Sequence, residues 1–359
     1  MNVYFFIIVI CVLLSYIAKS VIFRIKNKET KSYKCTVNSI YFLFLFILMG
    51  FRDISVGTDT ELYCNLYQEI IKSNVVNFRY FDKFPVYTIY CKLISFVSNS
   101  NQCVIICNSL VILSCMSYVF YNLSENISAS WFLYFATGTY LHGFNTARQH
   151  MAMALVLVSC CFLIKKRKFW AILFELLAIG THSTAIVGIV PILVLSFHWI
   201  KEHLIILGLI ELILLGFVYQ ILELAIKIFP SYRDYLLINK MGTSKGNRMW
   251  TALFIVLFYF LVFSVIKRID IQQYLKHNVS SSYSIILLIA LISMFVMRYN
   301  NMASRIEMYF YQFLTLAIPP IINKLKIRNN RIIVSLAFYA IIIIPCFALS
   351  QEFLPYIFF

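Results

Sequence analysis

Apolar runs of membrane-spanning length recur from one end of this chain to the other, separated by short basic clusters. A helix rises about 1.5 Å per residue, so crossing a hydrocarbon core about 30 Å thick takes roughly 20 apolar residues. Twelve runs are candidate crossings, near residues 1–19, 36–51, 103–121, 129–143, 147–164, 169–181, 184–200, 203–224, 249–266, 281–298, 305–323 and 331–349. With 61% hydrophobic and 13% charged residues, the chain lies far from the soluble average of about half apolar and about a quarter charged. The expected fold class is all-α, a polytopic integral membrane protein of about 12 transmembrane helices in one domain over residues 1–359.

The opening "MNVYFFIIVICVLLSYIA" lacks a basic start and a small-residue cleavage site, so it is expected to be the first span rather than a signal peptide. The connections "RIKNKETKSYK", "KKRK", "KRIDIQQYLK" and "KLKIRNNR" are short and strongly basic, which places them in the cytoplasm. Residues 84–99, "FPVYTIYCKLISFVSN", decide whether this scheme closes. They are short and carry Lys92, and if they crossed, "KKRK" would face outward, so they are expected to be re-entrant or interfacial on the outer side. The N- and C-termini then lie outside the cytoplasmic (inner) membrane, with the two largest hydrophilic loops, 52–83 and 225–248.

The formal net charge of +16 does not point to nucleic acid, because the basic residues sit between apolar runs instead of forming one patch. Ten cysteines lie mostly inside apolar runs without a CxxC pair, and read as small buried hydrophobes. No metal and no cofactor is expected. Asp53 and Asp59, six residues apart across Gly57, leave a divalent-cation pair as a secondary option.

Several charged positions need a reason. Arg148, in "GFNTARQHMAMALVLVSCC", stands at the outer start of a span and either snorkels to lipid phosphate or faces a cavity. Between Lys168 and Lys201 only 32 residues form a complete hairpin, about 15 per arm, or roughly 22 Å of helix. The turn "GTHST" therefore stops short of the outer surface, and irregular backbone at that depth must be buried in protein or line a wet cavity. His182 is either the floor of that cavity or a histidine satisfied by a backbone carbonyl. In "MRYNNMASRIEMYFYQF", Arg298 and Arg305 bracket a polar turn, with Glu307 beyond. In "FRDISVGTDTELY", Gly57 can turn the chain and "TDTE" fits a capping box, with Leu62, Tyr63, Leu66, Tyr67, Ile70 and Ile71 on one helical face. That leaves Arg52, Asp53 and Asp59 as charges the helix start does not absorb. The 24 tyrosines and 33 phenylalanines suit interfacial belts, and also stacking on sugar rings.

The segments "FRDISVGTDTELY", "FNTARQHMAMALVL" with "KKRKFW", "LLAIGTHSTAIVGIVP" and "ASRIEMYF", in that order, resemble the EpsG and Wzy group of polysaccharide polymerases. The resemblance covers most of residues 50–310 and implies a GT-C-like polymerase architecture. It also implies an enzyme that joins undecaprenyl-pyrophosphate-linked oligosaccharide repeat units at the outer face of the membrane, building O antigen, capsule or exopolysaccharide. The implied partners are those lipid-linked donors and acceptors, membrane lipid, and a chain-length regulator protein. An O-antigen ligase of the same pathway and a non-catalytic flippase or transporter stand as alternatives. The absence of paired halves in the sequence counts against a transporter.

Such a reaction needs positive charge for the departing pyrophosphate and a base for the attacking hydroxyl. Fixed guanidinium groups grip phosphate oxygens at two points, which selects Arg148 and Arg305, then Arg52. His182 is expected to be the base and Asp59 to position sugar or acceptor, with the two roles exchangeable. Asp53, Thr60, Gln149 and Arg298 complete the expected site as substrate-positioning residues. Direct displacement would invert the sugar's stereochemistry.

Overall fold

The structure is a computed structural model that describes residues 3–25, 31–73, 81–197, 301–324 and 355–359, together with positions 227, 282–283 and 286. The described residues are helix, turn or coil, without a named strand; one isolated antiparallel bridge pairs Arg52 with Phe358. The chain divides into two compact units, Met1–Gly188 with Ser335–Phe359, and Ile189–Val334.

The first unit is built around α8 (Ala147–Ile164). Its residues 151–161 are all buried, and a helix that is apolar around its whole circumference belongs in an interior. The alanines, serine and paired cysteines of "MAMALVLVSCC" let neighbours approach closely, as small residues do between membrane helices. α5 (Asn101–Leu123) and α9 (Lys168–Thr181) pack along α8, and α2 (Lys31–Gly50) packs along α5. On α2 the buried residues Tyr33, Val37, Tyr41, Leu45 and Leu48 recur at helical spacing and form the inward stripe. α1 (Val3–Ile25) lies against α2. α2, α5 and α8 are long and apolar enough to cross a membrane. This is a membrane protein.

Other expected spans prove interrupted. The run 129–143 is two helices, α6 (Ile127–Ala136) and α7 (Thr139–Asn145), broken at Gly138, whose φ of +76° is one that glycine adopts without strain. The run 184–200 contains a 3₁₀ turn (Ser183–Gly188) followed by α10 (Ile189–Ser196). In the second unit, the run 305–323 is split into α11 (Asn301–Tyr311) and α12 (Leu314–Lys324). Residues 203–224, 249–266, 281–298 and 331–349 and the loop 225–248 lie largely or wholly outside the described residues, as does Arg298.

The segment 84–99 contains α4 (Pro85–Ser95), opened by a proline at its first helical position. Its 11 residues rise about 16 Å, too little for a crossing, and it packs against α3 (Thr60–Lys72), α5 and α9. Lys92 caps main-chain carbonyls at the end of α3, donating to Ile71 O at 2.8 Å and to Ser73 O.

The start of α3 corrects the sequence reading. Asp59 occupies the N-cap without a side-chain capping bond, so the expected box over 58–61 does not form. The buried positions of α3 are Thr60, Cys64, Tyr67 and Ile70, while Leu62 is 65% exposed, so the inward face is rotated from the expected one.

Candidate functional site

The first three quoted segments meet at one end of the first unit. The turn 51–59 is fastened to the junction between α7 and α8. Gly57, at φ +98°, brings the chain so near that a β-carbon there would stand 2.8 Å from Thr60 Oγ1 and 3.0 Å from Asn145 Oδ1. Thr58 N donates to Asn145 Oδ1 at 2.8 Å, and Thr60 Oγ1 donates to Val56 O at 2.7 Å. Thr60 is 1% exposed, so its hydroxyl closes the turn from inside and is not presented to a ligand.

Arg52 is equally enclosed, at 3% exposure. Its guanidinium lies 4.5 Å from the centre of the Phe144 ring and donates to Met49 O and to Phe144 O, the latter at 3.4 Å. Burial pushes it down to about 10, with the phenols of Tyr140, Tyr356 and Tyr4 pulling the other way, so it stays charged at neutral pH. Residues 356–359 cover the same place: Asp53 N donates to Ile357 O at 2.9 Å, Phe359 N to Phe51 O at 2.9 Å, and Tyr356 OH to Leu48 O at 2.7 Å. Arg52 thus braces backbone, where a pyrophosphate contact was expected from the sequence. Asp53, nearer the surface, bonds to its own loop. Its carboxylate accepts from Ser55 N at 2.9 Å, and bonds from the Ser55 hydroxyl and amide hold it below the usual carboxylate range. Asp59 is half-buried beside Thr58, whose hydroxyl donates to its Oδ1 at 3.3 Å.

Arg148 differs. It opens α8 three residues beyond Asn145, and its guanidinium lies 3.9 Å from the centre of the Phe84 ring and 5.9 Å from that of Tyr87. Such stacking favours a cation over an aromatic face and leaves the in-plane N–H groups to other partners. Nε and Nη1 are shielded from solvent and have no hydrogen-bond partner among the described residues. Buried donors in that condition cost about 1–3 kcal/mol each, so an anionic oxygen meeting both is strongly favoured. The neighbouring Gln149 is buried in α8 at 1% exposure.

The same aromatic platform leads to His182. A β-carbon on Gly180 would strike the side chain of Val86, so the end of α9 rests on the first turn of α4, two residues from Phe84. His182 caps α9 in an extended conformation, with its N–H donating to Ala178 O at 3.0 Å. Its Nδ1 is 2.7 Å from Thr184 Oγ1, and the ring is half-buried. The 14 residues of α9 rise about 21 Å, in keeping with the short arm read from the sequence. Arg148 and the end of α9 at Gly180 thus both rest on the N-terminal turn of α4. Phe84 and Tyr87 were not among the expected site residues; the signal for them was a proline-led helix start beside the charged loop.

Arg305 and Glu307 lie on α11 in the second unit, Arg305 half-buried and Glu307 at 7% exposure. Among the described residues no cluster of three or more His, Cys, Asp or Glu side chains is placed to hold a metal ion.

Compared with known proteins, residues 35–358 match the model of the EpsG family. No curated protein and no solved structure matches the chain.

Proposed function

The chain belongs to the EpsG family, a family of polysaccharide biosynthesis, and on that premise we propose that it polymerises undecaprenyl-pyrophosphate-linked oligosaccharides at the outer face of the cytoplasmic membrane. The observation that carries this reading is Arg148, a cation stacked on Phe84 with two inward N–H groups lacking partners among the described residues. Those groups suit the oxygens of a pyrophosphate.

In the proposed reaction the bond between the donor sugar's anomeric carbon and the pyrophosphate oxygen breaks. The electron pair leaves with the lipid pyrophosphate, whose growing charge Arg148 holds. A hydroxyl of the acceptor's terminal sugar attacks the same carbon from the opposite face, inverting it, and its proton passes to His182. For that role Nδ1–H would donate to Thr184 Oγ1 and Nε2 would take the proton. Asp59 orients the acceptor. Arg52, Asp53 and Thr60 act one step away, by holding the loop that carries Asp59.

Deleting the gene and resolving the surface glycan by electrophoresis tests the reading. The expected product is single repeat units in place of a ladder. Full-length polymer accumulating on the lipid carrier would identify a ligase, and an unchanged ladder would refute polymerisation. At the site, His182→Ala should lower the rate about 10²–10⁴-fold while the protein still inserts; an unchanged chain-length distribution removes His182 as the base.

A further inference from the structure

At the opposite end of the α2–α5 pair lies a groove of about 380 Å³ lined by Asn38, Ser39, Phe42, Ser114, Ser117, Tyr118 and Tyr121. The volume is within the roughly 300–1,000 Å³ range of small-molecule sites. Asn38 and Ser117 form its floor: Asn38 Nδ2 donates to Ser117 Oγ at 2.7 Å, and Trp131 Nε1 fixes Asn38 Oδ1 at 2.8 Å. Ser39, Ser114 and Tyr121 are exposed, so hydroxyl-bearing side chains open toward the surroundings of two membrane-spanning helices. Polar groups facing hydrocarbon are costly unless something satisfies them.

Two ammonium groups guard the same end. Lys34, one turn from Asn38 on α2, donates to Ser124 O at 3.2 Å and ties α2 to the end of α5. Lys165 stands 5.1 Å from the centre of the Tyr118 ring, which lines the groove, and also donates to Asn122 Oδ1. Each ammonium has three donors, more than these bonds use. Lys31, Lys166, Arg167 and Lys168 are also at these helix ends, and among the described residues the loop after α5 adds one acid, Glu125.

We propose that this groove binds the headgroup of an acidic phospholipid, with Lys34 and Lys165 on its phosphate and the serine and tyrosine hydroxyls on its glycerol oxygens. Charge complementarity selects an anion, and a membrane-embedded groove beside basic helix ends selects a lipid. The site rests on the protein's lying in a membrane and is independent of the polymerase reading.

The test uses the full chain reconstituted in bilayer discs of phosphatidylcholine with or without phosphatidylglycerol, then transferred to detergent, with retained lipids counted by native mass spectrometry. Wild type should keep phosphatidylglycerol and release phosphatidylcholine. The double variant Lys34→Gln, Lys165→Gln should lower retention roughly tenfold or more, whereas Lys34→Arg, Lys165→Arg should retain it. Ser114→Phe fills the groove, leaves both lysines, and should also release the lipid. Equal retention of the two lipids by wild type, or undiminished retention in the glutamine variant, overturns the site. Ser114→Phe that leaves the lipid count unchanged and splits a dimer would make the groove an interface between two copies of the chain, and would also overturn it.

Discussion

Two arginines at one end of the first unit sit on phenylalanine rings in nearly the same way and do different work. Arg52 lies 4.5 Å from the Phe144 centroid and Arg148 3.9 Å from that of Phe84. Arg52 is 3% exposed and donates to two main-chain carbonyls, with Nε unmatched, while Arg148 is half-buried with both Nε and Nη1 unmatched among the described residues. A cation that satisfies backbone carbonyls stabilises a turn. A cation whose donors are left open at the start of a helix is equipped for a ligand. The residue type is the same at both places, and the difference lies in what the neighbouring main chain has already satisfied.

The comparison is broken most directly at Arg148. Arg148→Ala should lower glycan polymerisation about 10²–10³-fold, the loss seen when one donor to a developing oxyanion is removed. Thermal stability should hold or rise slightly, because two unsatisfied donors disappear. Arg148→Lys should fail to restore the rate, since an ammonium lacks the two-point fork. Rates would be followed in membranes with lipid-linked repeat units, alongside size-exclusion profiles of the same variants. A normal rate in Arg148→Ala would leave that guanidinium as a lipid-facing cation and end the contrast with Arg52.

Arg52 should behave in the opposite sense. Arg52→Ala strips a donor from Met49 O and Phe144 O and opens a space beside Phe144, at a cost of about 2–3 kcal/mol. The expected outcome is a lower melting temperature and less inserted protein, with near-normal activity per folded molecule. Because Arg52 has no ion-pair partner among the described residues, Arg52→Met should recover much of that stability. A stable but inactive Arg52→Met variant would return Arg52 to the pyrophosphate.

A smaller effect sharpens the reading of His182. The bond between Nδ1 and Thr184 Oγ1, 2.7 Å long, orients the ring. Removing it with Thr184→Val should slow polymerisation about 2- to 10-fold, matching a net hydrogen-bond contribution of about 0.5–1.5 kcal/mol. Glycan chain length over time measures it. A rate equal to wild type would mean that the histidine is oriented by something other than this hydroxyl.

The same pair of arginines marks what the sequence could and could not disclose. Span periodicity made α2, α5 and α8 legible, because apolar length is a property of consecutive residues. The shortness of the arm ending at His182 followed from counting residues between lysines, and α9 has that length. Gly138 was harder, since a single glycine in an apolar run marks a break only if its φ is positive, and φ is not written in the run. The role of Arg52 was hidden for a stronger reason: its carbonyl partner Phe144 lies 92 residues away, and the segment that covers it is residues 356–359. Likewise "TDTE" has the letters of a capping box, but Thr58 N is taken by Asn145 Oδ1 and Asp59 makes no cap bond. Phe84 and Tyr87 become site residues only because α9 places Gly180 against Val86.

Asp53 gives the smallest expected effect and tests whether its loop is scaffold or substrate site. Bonds from the Ser55 hydroxyl and amide favour the ionised carboxylate, so its folded pKa lies below the unfolded value. A depressed carboxylate stabilises the fold at pH above the unfolded value, about 3.9, and loses that contribution as pH falls through the folded one. Asp53→Asn keeps an oxygen that can accept from Ser55 N but removes the charge. Its melting temperature should therefore sit slightly below wild type at neutral pH, and the two curves should converge on acidification below about 4. Activity per folded molecule should not change at neutral pH. A melting-temperature gap that stays constant or widens toward acid would show that the Asp53 charge is not what holds the turn, and a loss of activity without a loss of stability would place the loop against the substrate, on the Arg148 side of the comparison.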